Sequence, residues 1–155
     1  NAMVYVNANL FLLGTGDLEQ DFRKIVSQKG LSQKVFFVGR LPFQKLKNIT
    51  KKFDLGLSFE EDTCLAYRFS LPNKIFDYVH AEIPVLASDL PYISKLISEN
   101  NIGEVLSSRR PENIASQITK MLTKKNFYSE YLKEAKTKFC WEQEELKVVD
   151  LFNHL

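Results

Sequence analysis

Five short apolar runs alternate with segments of helical periodicity, and this alternation constrains the fold more than any other feature of the sequence. The runs occupy residues 9–13, 34–38, 54–59, 85–88 and 103–106. Because the runs are mainly apolar and do not alternate regularly with polar residues, they predict strands that are buried on both faces of a parallel sheet. The sequence therefore predicts one α/β domain, a doubly wound parallel sheet of about five strands with helices on both faces.

Composition excludes several classes of protein. The chain has 155 residues, of which 45% are hydrophobic, and a net charge of +2, which is too small to indicate a nucleic-acid partner. Cys64 and Cys140 have neither disulfide-framework nor metal-ligand spacing, so no metal site is expected. This cysteine usage fits a reduced cytoplasmic setting. No apolar run approaches the ~20 residues of a membrane span. Asn1-Ala2 before Met3 reads as a cloning scar.

The stretch 70–89 carries the strongest functional pattern. Pro72 suits the first turn of a helix, and Lys74 places a positive charge in that turn. The N-terminus of a helix attracts anions through its free N–H groups and its dipole. Asp77 follows one turn later and can accept two hydrogen bonds from a vicinal diol. Phosphate and diol groups about one turn apart describe a nucleoside diphosphate with its ribose.

The segments Ser70-Leu71-Pro72-Asn73-Lys74-Ile75-Phe76-Asp77-Tyr78 and Ile83-Pro84-Val85-Leu86-Ala87-Ser88 resemble the donor-binding half of GT-B glycosyltransferases, in the retaining group 1 (family 4) class. The resemblance extends over about residues 10–122. It implies a Rossmann-like fold in which the amides near Ser70, Leu71, Pro72 and Asn73, together with Lys74, hold the diphosphate. It also implies that Asp77 holds the donor ribose.

Two glycine turns follow the first two predicted strands. Gly14-Thr15-Gly16 lacks the third glycine of a dinucleotide fingerprint, since Glu19 stands in its place, and NAD binding is disfavoured. An ordinary strand-to-helix turn is an equally good interpretation. The resemblance implies that Gly14 and Gly16 lie near the sugar nucleotide and that Gly39 and Arg40 lie beside the nucleobase, although Arg40 also fits a solvated side chain.

The chain departs from the family pattern at both acids. Phe69 stands where the family usually has a first glutamate, eight residues before the second acid. The nearest upstream acids are Glu60, Glu61 and Asp62, and no spacing selects one of them to approach the donor sugar. Asp77 replaces the more frequent glutamate and is one methylene shorter.

Two family elements have no counterpart in this sequence. The first strand of the donor domain, which ends in an arginine and lysine motif, is missing, and so is the N-terminal acceptor domain. We therefore expect a donor domain over residues 1–155 that is truncated at its N-terminus. The remaining strands either close up in the order 2-1-3-4-5 or leave a gap that another chain fills, since an open gap exposes two strand edges. A homo-oligomer could form there, or through the apolar side of the last helix, which carries Leu146, Val149 and Phe152.

The expected function is that of the donor half of a retaining glycosyltransferase. It would bind a UDP-, GDP- or ADP-sugar for transfer to a saccharide or lipid acceptor, without a cofactor. No catalytic residue is assigned, and the fragment alone is expected to be inactive. The full-length protein would be cytoplasmic or peripheral at the inner face of the membrane. The alternatives are a stand-alone non-catalytic nucleotide-binding or interaction module and a fragment resembling a nucleotide-sugar epimerase.

Overall fold

The computed structural model describes residues 1–154, in which five strands alternate with helices. The strands are β1 (Leu10–Leu13), β2 (Val35–Gly39), β3 (Gly56–Ser58), β4 (Val85–Ala87) and β5 (Gly103–Val105). The α-helices are α1 (Glu19–Gln28), α2 (Phe43–Thr50), α3 (Leu65–Arg68), α4 (Asn73–His80), α5 (Pro91–Asn100), α6 (Pro111–Thr123), α7 (Ser129–Lys138) and α8 (Trp141–Asn153). Two 3-10 helices complete the described chain, η1 (Ala2–Val4) and η2 (Lys125–Tyr128).

All three strand pairings are parallel, as the apolar runs predict. β1 pairs with β2, while β4 lies between β3 and β5. The five strands thus form a two-stranded and a three-stranded group, with no ladder between β1 and β3 among residues 1–154. Of the two expected arrangements, the described residues have the one with a gap between β1 and β3, and the strands do not close up in the order 2-1-3-4-5.

The hydrophobic core surrounds β4. Val85, Leu86 and Ala87 are fully buried, as expected for a central strand covered on both faces. Helix α4 contacts β3, β4 and α7, and α5 contacts β4, β5 and α7. The apolar stripes of these helices supply the fully buried Ile75, Val79, Ile93 and Ile97.

The two-stranded half is much less buried than the three-stranded half. The apolar side chains at the start of α1 and within it do not pack inward, since Leu18, Phe22 and Ile25 remain 60%, 49% and 41% exposed. A two-stranded sheet is too narrow to cover a helix face of this width. Phe11 and Leu12 of β1 likewise remain 38% and 37% exposed.

The last helix, α8, buries none of its residues. Its apolar residues Leu146, Val149 and Phe152 are 66%, 50% and 70% exposed. No helix within residues 1–154 is both long enough and apolar enough to cross a membrane.

The connection at residues 60–69 follows β3 and precedes α4. It contains α3, a single helical turn in which the amide of Phe69 donates to the carbonyl of Leu65. α4 begins at Asn73, directly after Pro72, so the predicted helix start is confirmed to within one residue. These two short helices place residues 70–74 beyond the carboxyl end of β3.

Candidate functional site

The start of α4 presents N–H groups that no side chain caps. Pro72 occupies the position before the helix and has no hydroxyl or carboxylate with which to accept from the first turn. The amide of Ile75 donates to the Pro72 carbonyl at 3.1 Å, while Asn73 and Lys74 precede the first intrahelical bonds. The helix dipole points its positive end at the same spot, which makes this spot suitable for an anion.

Lys74 and Asp77 lie one turn apart on α4, and both side chains are exposed. The ammonium of Lys74 contacts a carboxylate oxygen of Glu60 at 2.8 Å. Asp77 forms no ion pair with any described residue, and together with Lys74 and Tyr78 it lines the cleft between β1 and β3. An exposed acid at the mouth of a cleft can accept hydrogen bonds from a ligand, which a buried Asp77 could not.

Glu60 is held firmly, although it lies just beyond the end of β3. Its side chain is only 11% exposed, and the hydroxyl of the buried Ser58 donates to its second carboxylate oxygen at 2.8 Å. Its backbone carbonyl accepts from the hydroxyl of Ser88 at 2.5 Å and from the guanidinium of Arg109. Arg109 also donates to the Ser88 hydroxyl at 2.9 Å. These contacts connect the carboxyl ends of β3 and β4 and the loop after β5 around Glu60.

The two glycine turns meet at the ends of β1 and β2. The amide of Gly14 donates to the carbonyl of Gly39 at 2.8 Å, and Arg40 donates to the Thr15 hydroxyl at 3.0 Å. Gly14 and Gly39 have φ angles of +111° and +77°, which other L-residues rarely adopt. Gly16 has open space around it. The interpretation of Gly14-Thr15-Gly16 as a strand-to-helix turn is thus correct. The nucleotide role of Gly14, Gly16, Gly39 and Arg40 stays a prediction.

The predicted site residues therefore fall into two groups. Lys74 and Asp77 line the cleft, and Ser70, Leu71, Pro72 and Asn73 lead into the same helix turn. The hydroxyl of Ser70 donates to the Tyr67 carbonyl, which ties this loop to α3. The second group does not line the cleft and consists of Gly14, Gly16, Gly39 and Arg40.

Sequence reasoning left Glu60 undecided among three acids and missed three of its partners. Among these acids, Glu60 contacts Lys74 at 2.8 Å and Asp62 pairs with Arg68 at 3.6 Å, while the acid that approaches the donor sugar stays a prediction. Ser58 and Ser88 each end an apolar run with a hydroxyl, which is a signal that the sequence did offer. Arg109 lies 49 residues from Glu60, and nothing in its local sequence indicates the contact. Among residues 1–154, no cluster of three or more metal-ligating side chains occurs.

The environment of Glu60 predicts an acid-dependent contribution to stability. Burial alone would raise the pKa of the Glu60 carboxyl, but hydrogen bonds from Lys74 and Ser58 outweigh burial and lower this pKa below its ordinary value. The lowered pKa stabilises the fold fully above the ordinary carboxyl pKa of about 4.3. This contribution is lost as the pH falls through the lowered pKa of folded Glu60.

We expect Glu60→Gln to reduce the free energy of unfolding at pH 7 by about 1.5 kcal/mol, since it removes charge-assisted hydrogen bonds from a nearly buried group. The difference from the wild-type protein should shrink below about pH 4. Urea unfolding of both proteins from pH 3 to pH 7 measures this, with Glu134→Gln on the exposed side of α7 as the control. A difference that stays constant over the whole pH range would show that the ion pair contributes nothing.

Comparison with known proteins assigns the chain to a family. The sequence model of the family described as "Glycosyl transferases group 1" matches residues 2–139. None of the curated proteins compared with the chain matches it significantly.

Several solved structures share the fold of this chain. Sucrose-phosphate synthase from Thermosynechococcus elongatus is 17% identical with a TM-score of 0.76, over 99% of this chain and 40% of that one. Anabaena Alr3699/HepE, solved with UDP and glucose, is 17% identical with a TM-score of 0.78, over 99% and 43%. S. aureus TarM, solved with UDP among its ligands, is 19% identical with a TM-score of 0.74, over 98% and 31%.

The chain thus spans less than half the length of each of these structures. Since the family match covers most of its residues, and the Rossmann-like arrangement of parallel strands agrees with it, the chain belongs to the group 1 glycosyltransferases.

Proposed function

We propose that this chain is the donor-binding half of a retaining glycosyltransferase, which binds a nucleoside-diphosphate sugar for transfer to a saccharide or lipid acceptor. The observation that carries the proposal is the start of α4, where uncapped N–H groups, the Lys74 ammonium and the exposed Asp77 carboxylate lie within one turn of helix.

Each residue has a specific role in the proposed complex. The amides at the start of α4 and the ammonium of Lys74 neutralise the diphosphate, and Asp77 accepts hydrogen bonds from the two ribose hydroxyls. Glu60 keeps Lys74 at the mouth of the helix through their 2.8 Å contact. Gly14, Gly16, Gly39 and Arg40 complete the site on the side of β1 and β2 in this proposal.

The substrate is a nucleoside-diphosphate sugar, and no separate cofactor takes part in the proposed mechanism. The acceptor is bound by an N-terminal domain that these residues do not include, so the chain alone binds donor weakly and transfers no sugar. We place the full-length protein in the cytoplasm, in solution or at the inner face of the membrane. Association of copies through α8 stays a prediction, which light scattering would test.

A titration with UDP, GDP and ADP, followed by amide chemical shifts, tests the proposal. UDP is the first ligand to use, because HepE and TarM were solved with it. We expect shifts at residues 70–77 and at Glu60 at millimolar ligand, and weaker shifts with inorganic phosphate, which lacks the ribose. No shift at residues 70–77 with any of the three nucleotides would refute the proposal.

Binding and transfer are separable in the same preparation. Release of UDP from UDP-glucose, compared with and without the chain, reports on any chemistry of the isolated domain. Nucleotide binding without release supports the donor-half proposal. Measurable release would contradict the proposed dependence on a second domain.

A further inference from the structure

Two aromatic rings lie next to each other at the edge of the sheet where β3 and β4 end. The ring centroids of Phe69 and Tyr92 are 5.6 Å apart, and the ring planes are tilted by 58°. Phe69 ends α3, in the connection that follows β3, and Tyr92 lies in the first turn of α5, which follows β4. Because parallel strands end at the same edge of a sheet, the two rings share this edge with the start of α4.

Both rings are open to solvent. Phe69 is 48% exposed and Tyr92 is 51% exposed. Since the ring planes are tilted, neither ring lies flat on the other, and each keeps part of its face free. Aromatic side chains beside a few polar groups are the usual lining of a small-molecule site. We call this pair of residues the aromatic platform.

Hydrogen bonds fix the backbone on both sides of the aromatic platform. The hydroxyl of Ser70, which follows Phe69, donates to the Tyr67 carbonyl at 3.0 Å. At the start of α5, the hydroxyl of Ser94 donates to the Asp89 carboxylate at 2.6 Å. The two segments that carry the rings are therefore ordered without a ligand, which lowers the entropic cost of binding one.

The start of α4 lies between Phe69 and Asp77 along the chain. Phe69 precedes Asn73, the first residue of α4, by four residues, which span at most about 14 Å. Asp77 lies one turn after Asn73. In a nucleoside-diphosphate sugar, the diphosphate joins the ribose on one side and the sugar on the other. With the ribose at Asp77 and the diphosphate at the start of α4, the sugar extends toward Phe69.

We propose that the aromatic platform binds the sugar of the donor and selects an uncharged hexose. This inference rests on the proposed function, because it uses the diphosphate position at the start of α4. One side of a hexose ring consists of C–H groups, whose hydrogens are weakly positive, and the face of an aromatic ring is negative. The two surfaces attract each other, and water leaves both of them when they meet.

The charges near the aromatic platform disfavour a sugar that carries a carboxylate. The connection at residues 60–69 contains three acids, Glu60, Glu61 and Asp62, and one cation, Arg68, which already pairs with Asp62. The negative faces of the aromatic rings repel a carboxylate as well. Glucuronate differs from glucose by a carboxylate in place of the hydroxymethyl group, so it should bind more weakly here.

Amide-shift titrations with UDP, UDP-glucose and UDP-glucuronate test the proposal. Phe69→Leu keeps an apolar side chain but removes the ring, so it should weaken UDP-glucose binding about three- to tenfold and leave UDP binding within about twofold. The unmodified chain should bind UDP-glucuronate more weakly than UDP-glucose. In the same samples, the C–H protons of bound glucose should shift upfield, because they lie over an aromatic ring, and Phe69→Leu should reduce this shift.

A second exposed aromatic pair supplies the matched control. The ring centroids of Phe127 and Tyr131 are 5.8 Å apart with a tilt of 51°, close to the geometry of the aromatic platform. This pair lies at η2 and α7, outside the proposed site. Phe127→Leu makes the same substitution as Phe69→Leu and should leave the affinities for UDP and UDP-glucose within about twofold.

The possible failures are distinguishable. Absence of binding by any nucleotide would refute the proposed function, and this inference with it. Nucleotide binding without an upfield shift of the glucose protons, or with equal losses of UDP and UDP-glucose affinity in Phe69→Leu, would overturn this inference alone. Equal affinities for UDP-glucuronate and UDP-glucose would overturn the selection of an uncharged hexose.

Discussion

Replacement of Gly103 by alanine is expected to lower the free energy of unfolding by at least about 3 kcal/mol. A Cβ at position 103 would lie 1.9 Å from the carbonyl oxygen of Val85 and 2.8 Å from its nitrogen. Val85 belongs to the central strand β4 and is fully buried, so its backbone cannot move aside. Urea unfolding followed by circular dichroism measures the loss.

Gly16→Ala is the matched control for this experiment. A Cβ at Gly16 meets no atom within 4 Å, and its φ is not in the left-handed region, so stability should change by no more than about 0.5 kcal/mol. The two variants add the same methyl group and differ only in what surrounds it. A Gly103→Ala protein as stable as Gly16→Ala would mean that β4 and β5 do not pack as closely as described.

Lys74→Ala is expected to weaken UDP binding by about 10- to 100-fold, which corresponds to the loss of one charge-assisted contact with a phosphate. The substitution also leaves the Glu60 carboxylate unpaired beside the proposed diphosphate position, and its negative charge adds repulsion. Lys74→Arg keeps the charge and should lose less affinity. Amide-shift titration with UDP gives the dissociation constant for each variant.

Lys120→Ala supplies a closely matched control. The ammonium of Lys120 contacts Glu104 at 2.9 Å, and that of Lys74 contacts Glu60 at 2.8 Å. The two lysine side chains are similarly exposed, at 52% for Lys120 and 49% for Lys74. It lies on α6, outside the proposed site, and its removal should leave UDP affinity within about twofold. If Lys74→Ala and Lys120→Ala bind UDP equally well, the start of α4 does not hold the diphosphate.

Local patterns were sufficient to locate most of the elements. Apolar runs identified all five strands, and Pro72 marked the start of α4 to within one residue. The single turn of α3 was missed because four residues carry too little periodicity to distinguish a helix from a loop. The apolar side of α1 stays largely exposed, because its burial would require a wider sheet than the described chain provides.

The candidate site likewise has a part that local patterns predicted and a part that they did not. Lys74 and Asp77 were found because their spacing within one helix is a local property. The acid that pairs with Lys74 follows β3, and the arginine that holds its backbone lies in the loop after β5. Sequence separation hides such contacts, since only the folding of β3, β4 and the loop after β5 brings them together.

The sequence by itself determined a parallel α/β domain of five strands, with a positively charged helix start followed by an acid one turn later. Periodicity, proline placement and charge spacing act within a few residues, and these features need nothing more. The tertiary structure alone decided that the strands divide into two groups around a cleft, that Glu60 rather than its neighbours faces Lys74, and that position 103 admits no side chain. Each of these depends on the distance between segments far apart in the chain, which packing sets and local pattern does not encode.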